Sequence, residues 1–178
     1  MRLQRFARDQ KGSLSVEVVF AIPILALLLV TLMVFWDAFR TMNVSQKTAY
    51  MVADLMSRES EMNETFIEGA FEVYDYLAAS KGDNALRVSV ARYLEDPNTG
   101  DVSKELIWSH GVGGATGHDD VTPIADRMPL MANGEYIIIV EAEQVWMPKF
   151  SVGLSSYRFY SFAAARPRFA PQLIWTGT

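Results

Sequence analysis

The chain has no cysteine. Disulfide staples, thiolate nucleophiles and cysteine-ligated zinc are therefore excluded. A folded domain must hold together by its core alone, which roughly 140 residues suffice to build. Catalytic signatures are missing as well: there is no Gly-x-Ser-x-Gly elbow, no His-Glu-x-x-His pair and no dinucleotide fingerprint. The glycine-rich stretch Gly111 to Gly117 lacks the Gly-Lys-Ser/Thr ending that cradles phosphates, and is expected to be a solvated, flexible connection. Asp96 to Asp101 (DPNTGD) lacks the ligand series and closing glutamate of a calcium loop and reads as a turn. Histidine is scarce. His110, His118, Asp119 and Asp120 are the one cluster that suggests a metal, but metal sites need three or four ligands fixed in space, and these fall in the glycine-rich loop. Glu141 and Glu143 share one face of an expected strand and are expected to face solvent. No catalytic residue, metal, cofactor or small-molecule substrate is expected. Basic charge is also short: 16 Lys and Arg stand against 21 Asp and Glu, for a net −5. Nucleic-acid binding calls for a basic face, so this balance argues against that class.

What the chain does have is a long apolar run near its start. Val18 to Trp36 carries no charge, and about 20 apolar residues span a bilayer as a helix. One acid, Glu17, lies at its edge; a carboxylate at a bilayer centre costs about 2.5–3.5 kcal/mol on insertion scales, and less towards an interface. Ahead of it, Arg2, Arg5, Arg8 and Lys11 against Asp9 give a local charge of +3, so the rest of the chain carries −8. The basic end should stay cytoplasmic and the acidic body should face outwards. A secretory signal peptide fits less well. The run exceeds the usual apolar core of roughly 7–15 residues, and no small-x-small cleavage site follows it. Pro23 inside the run is tolerated in membrane helices, where it can kink them.

The string Gly12-Ser13-Leu14-Ser15-Val16-Glu17 resembles the processing site of type IV pilins and pseudopilins, in which a short basic leader ends in glycine and glutamate follows at the fifth mature position. With the helix "RTMNVSQKTAYMVADLMSR" and the final "ARPRFAPQ", the chain looks most like the TadE-like minor pseudopilins of tight-adherence (Flp, type IVb) pilus systems. Val18 stands where Flp major pilins usually carry tyrosine, and the chain is longer than they are, so the resemblance is to a minor component. It implies a leader over residues 1–12, cleavage between Gly12 and Ser13 by a prepilin peptidase, a transmembrane helix over 13–36 and a periplasmic domain over 37–178. It also implies residence in the bacterial inner membrane with possible incorporation in the pilus, other pilins, pseudopilins and pilus assembly proteins as partners, and a role in adhesion and biofilm formation. Glu17 would pair with the new α-amine of Ser13 on a neighbouring subunit. Such a pair attracts strongly in low dielectric, and breaking it leaves a buried charge.

Beyond Trp36, Val44, Thr48, Met51 and Leu55, with Val52 and Met56 beside them, mark one helical face. Asp37 to Arg58 contains neither glycine nor proline, so the apolar helix is expected to continue through it. Thr65 and Glu68 form a candidate capping box for a second helix, with Phe66, Ala70, Tyr74 and Leu77 as its apolar face and Gly82 as its C-cap. From Leu86 the period changes to two. Leu86, Val88 and Val90 mark a half-buried strand, Lys104 to Ser109 its hairpin partner, Tyr136 to Val145 a central strand, and Tyr157 to Ala165 another. Pro167 and Pro171 predict an extended, irregular end, in which Arg166, Arg168, Phe169 and Trp175 make a basic-aromatic candidate contact site. The expected fold is α+β: a long N-terminal helix, a second helix and an antiparallel sheet of about four strands, compatible with a pilin-like layout. The rival reading is an uncleaved single-pass membrane protein with an extracytoplasmic binding domain; a membrane-anchored enzyme lacks any site that can be named.

Overall fold

A computed structural model describes residues 11–78 and 83–177. The first ten residues of the basic leader and the expected cap Gly82 lie outside them. The protein is α+β, with a long apolar N-terminal helix and a four-stranded antiparallel sheet. In chain order the elements are helix α1 (Lys11–Met56), strand β1 (Glu61–Asn63), helix α2 (Glu64–Ala78), strands β2 (Ala85–Glu95) and β3 (Val102–Val112), the short helix α3 (Thr122–Ala125), and strands β4 (Tyr136–Trp146), β5 (Tyr157–Ala165) and β6 (Ile174–Gly177). The chain divides into two compact units: Met1–Phe39 with Pro148–Ser155, and Arg40–Met147 with Ser156–Thr178.

Helix α1 is unbroken through Pro23 and on to Met56, as the lack of glycine and proline beyond Trp36 predicts. Proline has no N–H to donate to the carbonyl four residues back, so the ladder loses one bond without ending the helix. In the second unit the sheet order is β3-β2-β4-β5, with every neighbouring pair antiparallel. Strand β4 is central, as its β-branched run Ile137 to Val140 predicts. Gly100, at φ 72, completes the β2–β3 turn in a backbone region open chiefly to glycine.

One face of the sheet packs Leu86, Val88, Val90, Ile138, Val140, Ala142 and Ala163 against Ala49, Val52, Ala53 and Met56 of α1 and Ile67, Ala70 and Tyr74 of α2. On the other face Ala91, Tyr93, Ile137 and Ile139 are covered by Ile124, Met128 and Met131. Strand β2 is therefore buried on both faces, Ser89 and Ala91 included, rather than half-buried as its alternation predicts. The second cover comes from residues that carry no strand or long-helix period of their own.

Several local expectations shift. The buried face of α1 is Ser45, Thr48, Ala49, Val52, Ala53 and Met56, whereas Met51 and Leu55 are exposed. The stripe thus keeps the expected Thr48, Val52 and Met56 and adds the small Ser45, Ala49 and Ala53 in place of Met51 and Leu55. Helix α2 is capped by Asn63, whose Oδ1 accepts from the Phe66 N–H at 2.8 Å, so Thr65 lies inside the helix and the expected Thr65–Glu68 box does not define its start. Its buried stripe is Ile67, Ala70, Tyr74 and Ala78, with Leu77 exposed. The C-terminal end is irregular over residues 166–173, as Pro167 and Pro171 predict, but it then forms β6, which pairs in parallel with β1, and Trp108 Nε1 donates to the Leu173 carbonyl at 2.9 Å.

Candidate functional site

The features that point to function lie on the N-terminal half of α1. Gly12 and Ser13 fall in its first turn. Glu17 is exposed one turn further on. Every large apolar side chain from Val18 to Trp36 is exposed except Val30 and Val34. Soluble monomers seldom leave more than a few hundred Å² of contiguous apolar surface open, so this stretch demands a cover of hydrocarbon or of other helices. It is the one helix among the described residues long and apolar enough to cross a membrane. Thr31, the one polar residue between Glu17 and Asp37, satisfies its hydroxyl within the helix by donating to the Leu27 carbonyl at 2.8 Å, as hydroxyls in apolar helices commonly do. Glu17 is thus the one ionisable group that this surface presents before Asp37.

In the second unit a further apolar surface opens between α1 and α2. Tyr50, Met51, Leu55, Val73 and Leu77 line a groove of about 520 Å³. Met51, Leu55 and Leu77, expected on the apolar faces, line this groove instead of the core.

The candidate contact residues at the C-terminal end behave differently from one another. Arg168 Nη2 pairs with Asp54 Oδ1 at 2.6 Å, and its backbone N–H donates to the Ser57 carbonyl at 2.8 Å. Asp54 Oδ2 also accepts from Arg58 at 2.8 Å. Arg166 pairs with Glu135 at 3.3 Å. Trp175 stacks on His110, with ring centroids 4.9 Å apart, and leans on Trp108 at 5.2 Å. These three residues tie the tail to the domain, so the basic-aromatic cluster is divided among internal contacts. Arg166 and Arg168 stay more than half exposed within these pairs, and Phe169 is 76% exposed.

The histidines part company too. His110 faces Trp175 and lies 3.9 Å from Glu64. His118 Nε2 sits 2.7 Å from Glu141 Oε2. Among the described residues no three His, Asp or Glu side chains gather as a metal site would require.

Two polar centres escaped the sequence reading. Glu141 does not face solvent: its side chain is 17% exposed and accepts from Arg87 at 3.2 Å, His118 at 2.7 Å and Arg127 at 3.5 Å. Arg87 Nη1 also approaches His118 Nε2 at 3.2 Å; the shorter contact to the carboxylate assigns the Nε2 proton to Glu141. This hub fastens the glycine-rich connection to the sheet, helped by the His118 N–H donating to Ser109 Oγ at 2.9 Å. A Cβ at Gly117 would collide with the Ser109 carbonyl, so glycine at this position permits close packing. The second centre is a buried hydroxyl chain. Ser45 Oγ lies 2.8 Å from both Tyr74 Oη and Ser161 Oγ, joining α1, α2 and β5. Burial of the Tyr74 phenol raises its pKa above 10.0, with the Ser45 hydrogen bond opposing that rise and Asp75 adding to it. Neither centre is visible in sequence because the partners lie far apart along the chain.

Compared with known proteins, the chain matches no family model, no curated protein and no solved structure.

Proposed function

We propose that this protein is a minor pseudopilin of the TadE-like kind, a structural and assembly component of a Flp-type pilus. The observation that carries the reading is a single one: an unbroken helix whose first half is apolar and exposed, with one carboxylate, Glu17, at its start. The second half of that helix is packed on an antiparallel sheet, which suits a pilin-like layout. In this reading the first half lies in the inner membrane, with the N-terminus cytoplasmic and the α+β domain periplasmic. It is trimmed by a prepilin peptidase between Gly12 and Ser13. Glycine costs a helix about 1 kcal/mol relative to alanine, so Gly12 eases the unwinding that exposes the scissile bond. The freed Ser13 amine of one subunit then pairs with Glu17 of another, selecting one axial stagger between packed helices. The chemistry is assembly, not catalysis.

Two measurements test this. The N-terminal residue of the membrane-bound protein is expected to be Ser13, by mass spectrometry; an intact Met1 refutes processing and favours the rival, an uncleaved single-pass protein with an extracytoplasmic binding domain. Glu17→Gln is expected to insert and be cleaved normally but to be lost from the pilus fraction. Normal incorporation of that variant overturns the pairing.

A further inference from the structure

We infer that the segment Pro148–Ser155 is a membrane-interface foot, which lays Phe150 and Leu154 into the headgroup region of the leaflet where α1 leaves the bilayer. The inference rests on reading α1 as a membrane span and does not depend on cleavage or pilus assembly. This segment connects β4 to β5 but belongs to the same compact unit as the apolar half of α1. Its depth is set by an ion pair: Lys149 Nζ donates to Asp37 Oδ1 at 3.0 Å. Asp37 is the first charged residue after the apolar run. The run Val18 to Trp36, at 1.5 Å per residue, covers about 28 Å, close to the hydrocarbon thickness of a bilayer. Lys149 is therefore held at the level where hydrocarbon gives way to headgroups.

The chemistry at that level is interfacial. Trp36 is 74% exposed, Phe150 54% and Leu154 37%. Surface connections normally present polar residues to water, whereas this one presents an aromatic and a leucine beside a lysine. Aromatic rings with an apolar body, and lysines with a long apolar stem, are the residues that favour a membrane–water boundary. Gly153, at φ 85, lets the segment turn back on itself. Phe150 and Lys149 also close one side of a groove of about 540 Å³ walled by Leu32, Met33, Val34 and Trp36. An apolar groove with an ammonium at its rim fits a lipid, acyl chain within and phosphate at Lys149, whose three donors exceed the needs of Asp37. The groove is continuous with the lipid-facing surface of the span. That continuity favours lipid over a protein partner.

The absence of cysteine allows a single introduced thiol to be labelled uniquely. The full chain, carrying a polarity-sensitive fluorophore at Phe150→Cys or Leu154→Cys, is reconstituted in vesicles of phosphatidylethanolamine and phosphatidylglycerol. The lipids bear a nitroxide either just below the headgroup or at mid-chain. Leu25→Cys marks the span and Asn98→Cys the β2–β3 turn. The expected result is a blue shift and loss of emission for both segment labels with the shallow nitroxide, loss for Leu25→Cys with the mid-chain nitroxide, and no loss for Asn98→Cys. If Leu25→Cys is quenched while both segment labels behave like Asn98→Cys, the foot is refuted and the span stands. If Leu25→Cys is not quenched, the span falls and the foot with it.

Discussion

Removing one buried hydroxyl tests how α1 and α2 are joined to the sheet. Tyr74 is fully buried, and its hydroxyl shares the Ser45 hydroxyl with Ser161. In Tyr74→Phe the ring still fills its place, so no cavity forms, and Ser45 keeps its bond to Ser161. The loss is one net hydrogen bond, about 1 kcal/mol; stranding a buried hydroxyl with no partner would cost up to about 3 kcal/mol. The effect should also depend on pH. Because burial raises the Tyr74 pKa above 10.0, folded and unfolded chains both hold the proton below that value and the contribution is constant. Above it the unfolded chain releases the proton first, so wild-type stability falls as pH rises through the folded value. Tyr74→Phe lacks this loss. The gap between the two proteins should therefore be about 1 kcal/mol near neutral pH and shrink above pH 10. Urea unfolding of the full chain in mild detergent, followed by tryptophan fluorescence, measures both. A loss beyond about 3 kcal/mol near neutrality would refute the hydroxyl chain, and a gap unchanged in alkali would refute the burial of the phenol.

Two further outcomes follow from the same contacts. Glu141→Gln leaves Arg87, Arg127 and His118 without their carboxylate, and is expected to cost about 1–3 kcal/mol, with faster amide exchange over residues 113–120; exchange unchanged there argues against the hub. Met51→Ser and Leu55→Ser, on the exposed face of α1, should change stability by no more than about 0.5 kcal/mol, while the buried Val52→Ala should cost more, about 1–3 kcal/mol. Equal effects at Met51 and Val52 would place Met51 in the buried stripe as well.

Much of the architecture was legible in the residues. The membrane-length run, the continuation of α1 past Trp36, the turn at Pro97 to Gly100 and the strands around Val88, Ile138 and Phe159 all rest on local period or turn chemistry, which neighbours in sequence suffice to specify. On the helices, spacing selects Thr48, Val52, Met56, Ala70 and Tyr74, which are buried, but also Met51, Leu55 and Leu77, which are exposed, while the small Ser45, Ala49, Ala53 and Ala78 complete the buried stripes. The Thr65–Glu68 spacing matches a capping box, yet Asn63, two residues earlier, takes the cap. Strand β6 has four residues, and its partner β1 three, too few for any period to show.

The chain by itself determined that Val18 to Trp36 is an apolar, membrane-length run with one carboxylate, Glu17, just ahead of it, because length, charge and hydropathy are properties of a contiguous stretch. The candidate processing pair and Glu17 are equally local. Which side chains face out, and what holds the rest in, was decided only by tertiary structure. Glu141 meets Arg87 and Arg127, Ser45 meets Ser161, Arg168 meets Asp54, and Lys149 meets Asp37, each pair brought together across many intervening residues. Such contacts depend on how the elements pack, and packing is selected by the summed burial of the whole chain rather than by any segment of it.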